Sequence, residues 1–137
     1  MIVADTNVWS EPLRRRPDPR VIGWFEEHLS ELALTTVTVA ELLYGALRLD
    51  PGRRRDGLLV AIEALVEEAE ERVLPFDMPS ARAYASLRAS RQRRGRPGGM
   101  EDLMIGAICH AGRVPLATRN VRDFHGLDLD LINPWQC

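Results

Sequence analysis

The sequence predicts an α/β fold: a three-layer α/β/α sandwich on a mainly parallel sheet of four to five strands. Three observations lead there. Short β-branched apolar runs alternate with helical apolar patterns along almost the whole chain, which implies right-handed crossovers and a sheet covered on both faces. The 137 residues are near the commonest single-domain size and contain no repeat, low-complexity segment or dividing linker, so one domain over 1–137 is expected. A composition of 45% hydrophobic and 28% charged residues is ordinary for a globular chain and sufficient for one core.

The run Ile2-Val3-Ala4 is short, apolar and ends at a turn-capable Asp5, as a buried strand does. Val8 to Leu13 predicts a short helix, stopped by Arg14-Arg15-Arg16-Pro17. Asp18-Pro19 is an N-cap followed by proline at the first helical position, and Val21, Ile22, Phe25 and Leu29 continue that helix. Leu32 to Val37 is a second strand. Thr38 is placed to cap the next helix, with Glu41 three residues on as in a capping box, and with Val39, Leu42, Leu43 and Ala46 as the apolar stripe. After the turn Asp50-Pro51-Gly52, a helix runs through Leu58, Leu59, Ile62, Leu65 and Val66 to about Arg72. Val73 to Phe76 is a short strand in which Pro75 favours an edge or an end. Pro79 starts a helix through Ala81, Tyr84, Ala85 and Leu87, which gives way to a basic, glycine-rich loop from Arg91 to Gly99. Leu103, Met104, Ala107, Ile108 and Ala111 carry the next helix, ended by Gly112. Val114 to Thr118 and Leu129 to Ile132 are the last strands.

Composition excludes several classes. The net charge of −2 is not that of a polycation, and all 18 basic residues are arginines, so no mechanism can depend on a lysine. Cys109 and Cys137 have no pairing motif, and His28, His110 and His125 have no ligand-like spacing to them. A disulfide scaffold and a structural zinc site are therefore not expected, and a reducing cytoplasm is the simpler setting. No apolar stretch approaches the roughly 20 residues of a membrane span. No secretory signal is expected, and the start at Met1 reads as the natural one.

Four acids stand where such a fold brings chain segments together. Sites in open parallel sheets lie beyond the carboxyl ends of the strands. Asp5 ends the first strand, Glu41 lies in the helix after the second, Asp102 opens a helix after Gly98-Gly99, and Asp123 follows a later strand. Gathered at one edge they would repel one another unless a cation joined them, and hard divalent cations take oxygen ligands. Magnesium or manganese would suit, supporting in-line phosphodiester displacement. Each acid also has a local reading: a turn at Asp5, the capping box or a solvent-facing role for Glu41, a helix-dipole partner in Asp102, and a turn cap in Asp123. Glu101 adjoins Asp102 and either can point inward. Thr6, Asn7, Thr118 and Asn120 offer hydroxyls and amides for a water or substrate, or for ordinary turns. Arg93, Arg94 and Arg96, with Arg88 and Arg91, form a basic stretch leading to Asp102 that would guide a polyanion.

The segments Val3 to Val8, Thr36 to Gly45, Asp102 to Ala107 and Ala117 to Phe124, closed by Leu131-Ile132-Asn133-Pro134-Trp135, resemble the PIN-domain family over the full length, in particular VapC-type toxins of bacterial toxin–antitoxin pairs. The resemblance implies a magnesium- or manganese-dependent endoribonuclease. In it, Asp5, Glu41, Asp102 and Asp123 would be the metal site, with Thr6, Asn7, Thr118 and Asn120 in support. It also implies an RNA substrate, a small DNA-binding-type antitoxin as partner, and a homodimer or toxin–antitoxin hetero-oligomer. Glu101 departs from the family pattern, and the fourth acidic position varies within the family. Two other readings compete: a catalytically inactive interaction module using Trp9, Trp24 and Trp135, and a phosphatase with Asp5 as nucleophile. The phosphatase lacks the lysine that such sites use against the phosphoryl group.

Overall fold

The structure, a computed structural model, describes residues 1–95 and 99–137. Its strands are β1 (Ile2–Ala4), β2 (Leu32–Thr35), β3 (Val73–Leu74), β4 (Leu116–Ala117) and β5 (Leu131–Ile132). They form one sheet in the order β3-β2-β1-β4-β5, and every neighbouring pair is parallel. The helices are α1 (Thr6–Ser10), α2 (Pro19–His28), α3 (Thr36–Leu47), α4 (Arg53–Glu68), α5 (Met78–Arg93) and α6 (Met100–Gly112). Short 3-10 turns at Glu11–Leu13, Leu29–Glu31, Glu70–Arg72 and Val121–Phe124 join them.

The period of two along a strand divides the core in two. Ile2, Ala4, Leu32, Leu34 and Ala117 face one side, where Trp9, Phe25, Leu42, Ala46 and Ile62 of α1 to α4 cover them. Val3, Ala33 and Leu116 face the other, against Leu103, Ile105, Ile108, Phe124 and Leu127. Both layers are built mainly of fully buried aliphatic side chains. The three-layer sandwich follows from this alternation.

The strand order reverses between β1 and β4. A crevice therefore opens beyond their carboxyl ends, where an open α/β sheet places its site. One close approach packs the second core layer. A Cβ on Gly106 of α6 would lie 2.9 Å from Leu127 Cδ1, so a larger residue there would force the Leu127 side chain, just beyond the turn that carries Asp123, to shift.

Several boundaries differ from the expectation. Strand β2 stops at Thr35 and α3 begins at Thr36, because the Thr35 hydroxyl accepts the Thr38 N–H at 3.1 Å and makes Thr35 the N-cap. Thr38 is thus a buried helical residue rather than a cap, and the Thr38–Glu41 capping box does not form. Helix α5 starts at Met78 under an Asp77 cap and runs through Arg93, so Arg91 and Arg93 belong to a helix and not to a loop. Of the basic stretch, Arg96 lies outside the described residues. The expected strands 114–118 and 129–132 shorten to two residues each. Trp9 and Trp24 are buried core residues, which removes them from any partner surface. Among the described residues, no helix is long and apolar enough to cross a membrane.

Candidate active site

Asp5 leaves the central strand and caps α1. Its N–H donates to the Ala117 carbonyl at 3.0 Å, extending the β1–β4 ladder by one rung. Its Oδ1 accepts the Val8 N–H at 3.2 Å, and its Oδ2 accepts the Thr118 hydroxyl. Thr118 Oγ1 in turn accepts the Asn120 N–H at 3.0 Å. The turn reading of Asp5 and the site reading are therefore both met, by different oxygens of one buried carboxyl. Burial pushes that carboxyl up to about 6, and the charge of Asp102 adds to the push; the Thr118 and Val8 hydrogen bonds pull it back.

Glu41 sits midway along α3, half-buried and not solvent-facing. Thr6 Oγ1 donates to its Oε1 at 2.6 Å, and the Thr6 and Thr38 hydroxyls lie 3.1 Å apart. Burial raises Glu41 above the usual carboxylate range, and the charges of Asp102 and Glu101 raise it further. Asp102, in the first turn of α6, is raised by burial, then by Asp123 and Glu101; Arg91 opposes the shift. Asp102 is thus the hub whose charge is felt at Asp5 and Glu41, and which itself feels Asp123.

The charge of Asp102 reaches both Asp5 and Glu41, and Asp123, exposed on the turn Val121–Phe124, reaches Asp102. Thr6 and Thr118 bond two of these acids directly. Asn7 and Asn120 are exposed beside them. Among the described residues, no group of three His, Cys, Asp or Glu side chains is disposed to hold a metal ion as it stands; Glu41 accepts from Thr6 and Asp5 from Thr118. The donor set is nevertheless all oxygen, which is the chemistry of magnesium and manganese and not of softer metals.

Sequence reasoning missed two features. Arg91, expected among RNA-guiding arginines, is a strut: its Nη2 donates to the Asp123 carbonyl and, at 3.4 Å, to the His125 carbonyl, tying α5 to the turn that carries Asp123. Glu11 is buried and pairs with Arg14 at 2.7 Å, so Arg14 does more than stop the first helix. The i,i+3 spacing of that pair is visible in the sequence. Cys109 is free and buried beneath the site; burial and then the Asp5 charge push its thiol up to about 12. Thr118→Val removes a hydrogen bond that holds the Asp5 carboxyl down, so the Asp5 midpoint should move above 6. Carboxyl-carbon NMR titration reads this directly.

The chain has relatives among known proteins. The PIN domain family matches residues 2–128. The chain is similar to VapC ribonuclease Y4jK of Sinorhizobium fredii, 40% identical with 99% of each chain covered. It is 36% identical to Toxin FitB of Neisseria gonorrhoeae, with 98% of this chain and 99% of that one covered. The crystal structure of FitAcB from Neisseria gonorrhoeae superimposes with a TM-score of 0.93 at 35% identity, covering 100% of both chains. With the family matched from the first strand to the segment beyond Asp123, and a five-stranded parallel sheet of the same fold, the chain belongs to the PIN domain family.

Proposed function

We propose that this PIN-domain protein is a magnesium- or manganese-dependent endoribonuclease, the toxin of a toxin–antitoxin pair. Asp5, Glu41 and Asp102 hold the metal, with Asp123 as a fourth acid at the rim. The carrying observation is the convergence of acids from four separate elements, three of them raised by burial and by one another's charge, with Arg91 as the cation that eases Asp102. Such an excess of negative charge calls for a cation. The names of the two relatives, a ribonuclease and a toxin, support the same reading.

Held by these carboxylates, a divalent ion would supply Lewis-acid charge against the phosphate and lower the pKa of water, so that hydroxide is available near neutral pH. The chain's own groups do the rest. The backbone and Thr118 bonds hold Asp5 in one place, which spares reorganisation during reaction. Thr6 holds Glu41 in reach of the crevice. The Arg91 strut keeps Asp123 at the rim. Asn7 and Asn120, exposed at the mouth, orient water or the RNA.

Arg93 and Arg94 are exposed at the end of α5, on the path to Asp102, and contact the RNA backbone together with Arg96. Replacing all three should weaken RNA binding and flatten its dependence on salt, by about 0.7 in log–log slope for each phosphate that is no longer neutralised. An unchanged slope would remove them from the substrate path. The partner is a small antitoxin of DNA-binding type, in a homodimeric or toxin–antitoxin assembly. Tyr44 and Leu47 of α3 and Val60 of α4 leave large apolar side chains exposed on adjoining helices, which suits a protein partner. The test of the enzymatic reading is cleavage of single-stranded RNA by the purified chain in magnesium or manganese. Chelation by EDTA should stop it and added metal restore it; cleavage that persists in EDTA contradicts the reading.

A further inference from the structure

We infer that the groove beside the acidic site receives an unpaired nucleotide of the RNA, its base stacked on the Arg119–Trp135 pair; this rests on the ribonuclease reading above. The groove has a volume of about 430 Å³ and is lined by Asn7, Glu11, Arg14, Arg119, Asn120 and Trp135. That volume is on the scale of small-molecule sites, roughly 300–1,000 Å³.

Its chemistry fits a nucleotide. The Arg119 guanidinium lies over the Trp135 indole, 5.3 Å from the ring centroid. A planar cation on an indole is the kind of surface on which a base stacks. The platform is held in place: Trp135 N–H donates to Asn133 Oδ1 at 2.9 Å, Gln136 N–H to the Asn133 carbonyl at 3.0 Å, and Arg20 to the Trp135 carbonyl at 2.7 Å. Glu11 and Arg14 neutralise each other, which leaves Arg119 as the unbalanced charge in the lining and gives the groove a positive sign for a phosphate. The exposed amides of Asn7 and Asn120 present donors and acceptors for a base edge or a 2′-hydroxyl.

Its location fits a nucleotide next to the scissile phosphate. Asn120 is linked to the site by the chain of bonds from its N–H to Thr118 Oγ1 and from the Thr118 hydroxyl to Asp5. Asn7 lies two residues beyond Asp5 in α1. One wall of the groove is therefore continuous with the acidic crevice. A base that requires a stacking platform must be unpaired, so the groove selects single-stranded RNA over a duplex.

The test uses the full chain in EDTA, a short fluorescein-labelled single-stranded oligoribonucleotide of mixed sequence, and a base-free strand of equal length. Arg119 is exposed, and Arg119→Lys keeps its charge while removing the planar stacking surface. The expected result is roughly tenfold weaker binding of the oligoribonucleotide, the scale of one stacked base, with unchanged binding of the base-free strand. The oligoribonucleotide should also alter Trp135 emission, a change absent in Trp135→Phe, since Trp9 and Trp24 are buried. Three results overturn the inference: equal affinity of wild type and Arg119→Lys for the oligoribonucleotide, equal losses on both strands, or no emission change, which would leave the groove to another occupant such as a protein segment. Cleavage in magnesium is read separately. A wild type that cleaves RNA with no base-dependent Arg119 effect removes the groove alone. A wild type that shows the Arg119 effect without cleaving supports the groove and removes the ribonuclease reading.

Discussion

Asp5→Asn is expected to lower RNA cleavage by a thousandfold or more, about 4 kcal/mol of transition-state stabilisation, while the fold survives. The substitution removes the charge of the most buried acid of the cluster and changes its shape hardly at all. Its local bonds can persist. An Asn carbonyl accepts the Val8 N–H as Oδ1 does, and the Thr118 hydroxyl can accept from the amide in place of donating to a carboxylate. Stability should move the other way. The Asp5 carboxyl is raised to about 6 in the folded chain, from ~3.9 for an unperturbed Asp. Between those values the folded chain binds more protons than the unfolded chain, so stability falls as pH rises from about 4 through 6. Above that window the ionised, buried carboxylate opposes folding by on the order of 3 kcal/mol. In EDTA at pH 8, Asp5→Asn should therefore melt above the wild type, and the gap should close as pH falls below 6. Thermal melts at the two pH values check it; a variant less stable than wild type at pH 8 would mean that the carboxylate is not under electrostatic strain.

Trp9→Ala is expected to cost about 3–5 kcal/mol, a large part of the roughly 5–15 kcal/mol that holds a domain folded. Trp9 is fully buried, stands edge-on to Phe25 with 5.3 Å between ring centroids, and donates its indole N–H to the Ala33 carbonyl at 3.2 Å. It follows Asp5 by one helical turn, so it packs α1 onto β2 and fixes the direction in which Asp5 leaves β1. Urea denaturation measures the loss. A change below about 1 kcal/mol would show that the first core layer does not depend on this ring.

Much of this architecture is legible in the sequence because burial in a parallel sheet writes itself into residue types. Ile2-Val3-Ala4 and Leu32-Ala33-Leu34 read as strands since both faces of each are covered. Strand–helix alternation is also what suggests, in the sequence, a common edge for the four acids. What misleads is local chemistry with two solutions. Thr35 and Thr38 can each cap a helix, and the structure uses Thr35, the last residue of β2. That shift of the cap turns Glu41 from a capping partner into a half-buried acid held by Thr6, a residue 35 positions away. Arg91 is likewise invisible as a strut, because its acceptors are the backbone carbonyls of a distant turn, and carbonyls leave no mark in a sequence. The groove at Trp135 depends on the C-terminal residues returning beside α1, a long-range contact that no local pattern encodes.

A metal site made by acids from separate elements depends on each of them. Calorimetric titration of manganese into the wild-type chain and into Asp5→Asn and Asp102→Asn tests it most directly. Saturable binding is expected for the wild type, abolished or strongly weakened in both variants although the two residues lie on different elements. Undiminished manganese binding in both variants would contradict it.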